Sequence, residues 1–248
     1  MTDPASASKT VRRARRSRLA LLGLGEPGES ERAAFGVAAH GPALAGVNDL
    51  AAEGMLGVFR DKAADLDGAE LDLRAEDVMA MSVEPESYDA VISSMAMHWF
   101  PDKPGAAVAM ARALKPGGVI GILCSGRGGE REFRDVLSRL DPPAPKEWDA
   151  AFDFVQRDVH EMEQYLTDAG LEPIDVWMER RRRATPPDAF MARTRAVAGH
   201  LLGNPPGGFS ELDRRIEAAL HEAAGPDGFV YDYCKLFAVA RRPGAPAA

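Results

Sequence analysis

The stretch from Glu84 to Gly118 constrains this chain most. It reads EPESYDAVISSMAMHWF, then a loop and an Ala-rich segment, then ALKPGG ahead of the apolar run VIGILC. In physical order this is a polar turn, a buried strand, an exposed strand end, a covering helix, a Pro-Gly-Gly stop and a second buried strand. That order is one βαβ unit. Residues 88–94 are mostly apolar rather than alternating, as expected when helices cover both faces of a parallel sheet. Ligands of open α/β sheets bind at the carboxyl ends of the strands, so Ser94 to Trp99 should border a site.

The same patterning predicts strands near 19–24, 43–48, 70–75, 88–94, 118–124, 173–181 and 229–240. Helices are predicted near 30–40, 53–65, 104–114, 130–140, 148–170, 187–203 and 209–224. The segment DPPAPK, 141–146, breaks helix formation before the longest of these. No apolar run reaches transmembrane length, and no internal repeat is visible.

SYDAVISSMAMHWFPD followed by LKPGG resembles the class I S-adenosylmethionine-dependent methyltransferases, in the small-molecule branch that includes the BioC-like, UbiE-like and aconitate methyltransferases. The resemblance implies an α/β, Rossmann-like fold: a seven-stranded, mostly parallel sheet with helices on both faces and a late helical lid near 187–225. It implies one domain over 19–243, between a basic arm, 1–18, and a tail, 244–248. It further implies S-adenosylmethionine as cofactor and a small molecule as methyl acceptor, with oxygen or carbon methylated. RAED, 74–77, followed by Met81, is similar to the family's third-strand end, where an acid approaches the adenine. Asp77 and the adjoining Val78 take that place, with Ser94 at the fourth strand's end. GVNDLAAEGML, 46–56, is similar to the second-strand end, which makes Asp49 the expected ribose ligand. The closing GPDGFVYDYCKLFAVARRP resembles the last strand of such enzymes.

The first glycine loop, LALLGLGEPGES, departs from the family's pattern. Gly23, Gly25 and Gly28 form a GxGxxG turn for the cofactor, but Gly23 stands where the family has an acid and Pro27 where it has a glycine. Proline fixes φ and removes an N–H donor. The missing carboxylate removes a charge-assisted contact worth roughly 1.5–3 kcal/mol, about one to two orders of magnitude in affinity. Glu26 and Glu29 are the nearby acids that could compensate. Three function classes follow: an active methyltransferase, a cofactor-poor fold used for binding, assembly or regulation, and an enzyme running a non-methylating reaction in the same pocket.

His98, just past the fourth strand and next to Trp99, is the candidate catalytic base. A packed, hydrogen-bonded structural histidine fits the same position. Trp99 and Arg193 are the candidate substrate-binding residues, with Arg195 and His200 on the same lid segment. Arg180 to Arg183 read either as a carboxylate or phosphate site or as a solvated strand end. Asp89 ties down the start of its strand. The remaining histidines have no metal-ligand spacing. Cys124 and Cys234, both in apolar strand patterns, read as buried thiols of a reducing compartment, which points to the cytoplasm. The balance of 38 Asp+Glu against 30 Lys+Arg, a net charge of −8, argues against a general nucleic-acid binder. Five arginines in VRRARRSR precede the short run LALLGLG, which lacks a signal-peptide cleavage site and reads better as the first strand behind a solvated arm. With so little chain before that strand, cover for the site is expected from other segments, a second copy or a partner protein.

Overall fold

A computed structural model describes residues 19–23, 44–47, 71–74, 78–80 and 82–244, the first three segments and Val197 as backbone alone. The strands are β1 (Leu19–Gly23), β2 (Leu44–Val47), β3 (Leu71–Arg74), β4 (Tyr88–Ser94), β5 (Leu114–Ser125), β6 (Glu172–Thr185) and β7 (Phe229–Arg241). They lie in the order β3-β2-β1-β4-β5-β7-β6. Pairing is parallel from β3 through β5 and antiparallel where β7 joins β5 and β6. Among the described residues the helices are α1 (Lys103–Ala113), α2 (Arg131–Arg139), α3 (Glu147–Val155), α4 (Val159–Asp168), α5 (Pro187–Leu202) and α6 (Glu211–Ala223). The expected helices near 30–40 and 53–65 lie outside the described residues, as do the arm 1–18 and most of the tail.

The βαβ unit forms as the sequence dictates. Asp102 caps α1 by accepting from the Gly105 N–H at 2.8 Å, and Pro104 occupies the first turn, where its missing N–H costs nothing. The small face of α1, Ala106, Ala107 and Met110, packs on Val91, Ile120 and Ile122 of the sheet, with Met162 and Leu166 of α4 completing this core. Asp89 does anchor its strand: it pairs with Lys115 at 2.8 Å. A second apolar cluster joins Phe133 of α2, Trp148 and Phe152 of α3, Phe190 of α5, Ile216 and Leu220 of α6, and Phe229 and Tyr231 of β7.

Two expectations are corrected. The helix near 148–170 is two helices, separated at Gln156–Asp158, because Asp158 starts a new one: its carboxylate accepts from the Glu161 N–H while Glu161 accepts from the Asp158 N–H. The basic run Arg180–Arg183 lies within β6 rather than at its end, and its members have local partners. Arg180 and Arg182 reach Asp232, Arg181 pairs with Glu179, and the Arg183 guanidinium lies 5.1 Å from the Tyr233 ring.

One feature of the sheet places everything that follows. Lys235 of β7 sits opposite both Ser125, the last residue of β5, and Glu179 of β6, so β6 is the only strand laddered to residues 229–234 among the described residues. The loop after β5 adds bonds from the Gly126 N–H to the Cys234 carbonyl at 3.0 Å and from the Glu130 N–H to the Asp232 carbonyl at 2.7 Å. At about 3.4 Å per residue this two-stranded ribbon carries on roughly 20 Å past the carboxyl edge of the parallel strands. Its tip is held by a tight turn in which Gly225 and Gly228 exchange backbone hydrogen bonds at 3.0 Å. Gly228 has φ 110°, and a Cβ there would lie 2.6 Å from the Thr185 carbonyl oxygen. Gly228→Ala is therefore expected to destabilise the protein by about 2 kcal/mol or more, read as a lower urea midpoint at unchanged m. Wild-type stability in that variant would show that the turn relaxes without strain.

Candidate functional site

The carboxyl edge of the sheet brings Gly23 of β1 directly beside Ser94 of β4, at the point where strand order reverses. Both side chains are small, so the edge there admits close approach of a ligand to the backbone. Val78, in a short 3-10 turn after β3, is buried. Gly25, Gly28, Asp49 and Asp77 lie outside the described residues.

Beyond Ser94 the backbone turns sharply. Met95 adopts a left-handed conformation, φ 54°, that a residue of its type seldom takes, and its N–H donates to the Leu123 carbonyl at 2.8 Å. The turn feeds a 3-10 segment, Met97–Trp99, that carries His98 against β5, α1 and α3. His98 has no exposed surface, and neither ring nitrogen has a hydrogen-bond partner among the described residues. Its pKa is pushed down to about 3, first by burial and then by the positive charges of Lys235, Lys103 and Arg157. At neutral pH the ring is uncharged. Lys103, whose Nζ donates to the Phe100 carbonyl at 3.0 Å and lies 3.7 Å from the Phe154 ring centroid, is itself lowered to about 8 by burial, with Arg157 adding to the effect.

His98 and Trp99 line a cavity of about 110 Å³ between β5, β7, α2, α3 and α5. By the measure of about 10–15 Å³ per enclosed water, that is room for several waters or a small organic group. Its walls are aromatic. Phe133 meets Trp148 edge-on at 5.8 Å between ring centres and Phe152 at 6.1 Å, and Trp148 has a buried indole N–H with no acceptor among the described residues. The floor is the loop after β5. Gln156 fixes it, accepting from the Gly128 N–H at 3.1 Å and donating to the Gly129 carbonyl at 2.9 Å. A Cβ at Gly129 would stand 3.0 Å from the Cys234 nitrogen, so the loop lies flush on β7.

Of the charged residues singled out by the sequence, Arg193 reaches the cavity and is held there by the Glu130 carboxylate, with Phe190 and Tyr231 beneath its guanidinium at 4.8 and 5.5 Å. His200 also lines the cavity. Arg195 turns away, binding Asp213 through two nitrogens and Glu217 at 3.0 Å. Burial would raise the Asp213 pKa, but hydrogen bonds from Arg195 and Asn204 outweigh it and hold the carboxyl below its usual range. Arg195 therefore ties α5 to α6. Cys124 and Cys234 are both buried free thiols. Burial raises the pKa of Cys124 to about 12, which leaves it inert as a nucleophile.

Of the cavity's lining, sequence reasoning singled out His98, Trp99, Arg193 and His200 and did not name Glu130, Phe133, Trp148, Phe152 and Gln156. A usable signal existed for two of these: Trp148 and Phe152, four apart, share a helix face.

Residues 36–122 match the methyltransferase domain family, a span that contains the stretch Glu84 to Gly118 on which the resemblance rests. A malonyl-[acyl-carrier protein] O-methyltransferase of Magnetococcus marinus is 39% identical over 56 residues, 23% of this chain and 21% of that protein. The chain thus aligns with about a fifth of that relative's length. Among solved structures, a candidate methyltransferase from Bacillus halodurans superposes with a TM-score of 0.58 at 16% identity, covering 92% of this chain and 93% of that one. A phosphoethanolamine N-methyltransferase of Haemonchus contortus, solved with S-adenosylhomocysteine, gives 0.51 at 20% identity, covering 92% and 49%. These likenesses establish the Rossmann-like, mixed α/β class I methyltransferase fold.

Proposed function

We propose, from the premise that this chain has the class I methyltransferase fold and carries that family's domain over residues 36–122, that it transfers a methyl group from S-adenosylmethionine to an oxygen or carbon of a small-molecule acceptor. In this reading the seven strands form the complete family sheet, 19–243 is one domain, and the helices near 187–225 are its lid. The observation that carries it is a juxtaposition. The strand-order reversal at Gly23 and Ser94 lies four residues from His98, which lines an aromatic cavity. Cofactor and acceptor sites therefore adjoin.

The cofactor would lie across the carboxyl edge, on Gly23, Gly25, Gly28, Asp49, Asp77, Val78 and Ser94. The small pair Gly23 and Ser94 fits its close approach. Once bound it supplies an already activated methyl group, so the chain's task is to orient an acceptor and exclude water. Trp99 and Arg193 hold the acceptor, and His98 is the group that meets the atom to be methylated. No described helix is long and apolar enough to cross a membrane. We place the protein in the cytoplasm, without a nucleic-acid partner, its site covered further by a second copy or a partner protein.

Gly23 favours a second reading, in which the fold has weak or no cofactor binding and serves as a binding, assembly or regulatory protein or catalyses a non-methylating reaction. It ends β1 in register with Ser94 and has no carboxylate to give the cofactor's ammonium. Calorimetric titration with S-adenosylmethionine and S-adenosylhomocysteine separates the two. Micromolar binding is expected, weakened about tenfold or more by Asp49→Ala through loss of the ribose contact. No heat at millimolar cofactor would discard methyl transfer in favour of the second reading.

A further inference from the structure

Resting on the methyl-transfer reading, we propose that the acceptor is a flat phenolic or enolic molecule. Its ionisable hydroxyl lies against His98, and its far end carries a second hydrogen-bond acceptor for the Trp148 N–H. The walls set the shape. Phe133 meets Trp148 and Phe152 edge to face, and the three rings give the cavity an aromatic wall that suits a planar, apolar body.

The polar atoms set the pattern on that body. Buried polar groups nearly always have partners, yet this cavity is lined by two residues whose buried polar atoms have none among the described residues, the imidazole of His98 and the indole N–H of Trp148. Two orphans on one cavity mark two docking points for ligand atoms.

Charge selects the chemical class. The arginine on the wall, Arg193, is engaged by Glu130, whose carboxylate also lines the cavity. A carboxylate ligand would therefore meet an acid, and an arginine whose charge that acid already offsets. Behind His98 the balance is reversed. Lys235 on β7, Lys103 at the start of α1 and Arg157 between α3 and α4 all act on the ring. The nearby thiol of Cys124 on β5 stays protonated, and Glu161 of α4 is taken up by Arg127 and Arg157. A hydroxyl set against His98 thus sits in a positive field that favours release of its proton to solvent, and the neutral imidazole keeps an N–H to donate to the oxyanion. An aliphatic alcohol is too weak an acid to use such a field, whereas a phenol or enol ionises in it.

The test uses 4-nitrophenol, whose ionisation is visible as a colour change and whose nitro group can accept from Trp148, with 4-nitrobenzoate as the carboxylate of matching shape. Measurements run below pH 8, where Lys103 keeps its proton. The full chain should bind 4-nitrophenol at least ten times more tightly than 4-nitrobenzoate. The bound phenol should ionise at least one pH unit lower than the free phenol, a tenfold preference for the anion. His98→Phe should raise that midpoint part of the way back toward the free value, by loss of the imidazole N–H, while the cations behind it remain. Trp148→Phe should weaken binding several-fold while leaving the midpoint low. Equal or tighter binding of 4-nitrobenzoate, a midpoint unmoved or raised on binding, or no binding of either compound at millimolar concentration would overturn the proposal. The wild-type comparison decides even if a variant fails to fold. Because no cofactor is present, failure of methyl transfer is read separately, in the S-adenosylmethionine titration.

Discussion

Acidification from pH 6.5 to 4 is expected to destabilise the folded protein by about 3 kcal/mol through His98 alone, at about 1.4 kcal/mol per pH unit. The unfolded histidine titrates at its ordinary value of 6.5, while the buried ring resists protonation until about pH 3. Between those values the unfolded state binds a proton that the native state does not, so stability is intact above pH 6.5 and lost as the pH falls. Asp213 has the same sign in a different window: its lowered carboxyl contributes stability that is lost as pH falls below the ordinary carboxylate range. Urea denaturation of the wild type and His98→Leu across pH 4–7 checks the assignment. The variant should lack most of the slope above pH 4.5. An equal slope in both would mean that the ring is protonated in the native state, and an NMR titration of the imidazole reads that directly.

Phe190→Ala is expected to cost about 3–5 kcal/mol, among the largest effects of any single truncation in the chain. Phe190 is the hub of the second apolar cluster. It meets Phe133 at 4.9 Å, Phe229 at 5.2 Å and Tyr231 at 5.0 Å between ring centres, each edge-on, with 1% of its surface exposed. Truncation removes the buried ring and leaves a void between α2, α5 and β7 that rigid neighbours cannot fill. Phe133 also forms the cavity wall, so loosening should reach the site as well. Denaturation should show a lower midpoint, and Phe190→Leu should recover half or more of the loss by refilling the volume. A loss below about 1 kcal/mol for the alanine variant would mean that the helices collapse onto the gap.

The parts legible in the sequence were those fixed by local chemistry. β4 matches its expected span, 88–94, because a nearly continuous apolar run bounded by polar turns has few other conformations. α1 was legible from Asp102 and Pro104 at one end and Lys-Pro-Gly-Gly at the other. β5 starts earlier than its apolar run, at Leu114, since Gly117 takes φ 79° and lets the chain join the sheet before the hydrophobic residues begin. The break at Asp158 was written in Asp-Val-His-Glu, a capping signature inside a long helical pattern. The cavity was legible only at its mouth. His98 and Trp99 follow a strand whose end was predictable, whereas Glu130, Phe133, Trp148 and Gln156 meet only because α2 and α3 fold back under the ribbon. That long-range packing leaves no trace in spacing. Arg193 and Arg195 show the same limit: two residues apart, one faces the cavity and the other binds Asp213, and only the packing of α5 on α6 separates them.

The ribbon's register has a consequence for how such a protein can diversify. Thr185, where the chain leaves β6, sits directly opposite Phe229, where it re-enters β7. Residues 186–228, with α5 and α6, therefore start and finish at one rung of a ladder. Such a segment is a cassette. Its replacement by another of different length alters the chamber it roofs while the remaining rungs keep β6 and β7 in place, and loop closure penalises added length only logarithmically. The chamber's lining can thus be rewritten at the ribbon's tip, roughly 20 Å past the carboxyl edge of the parallel strands, without retuning that edge.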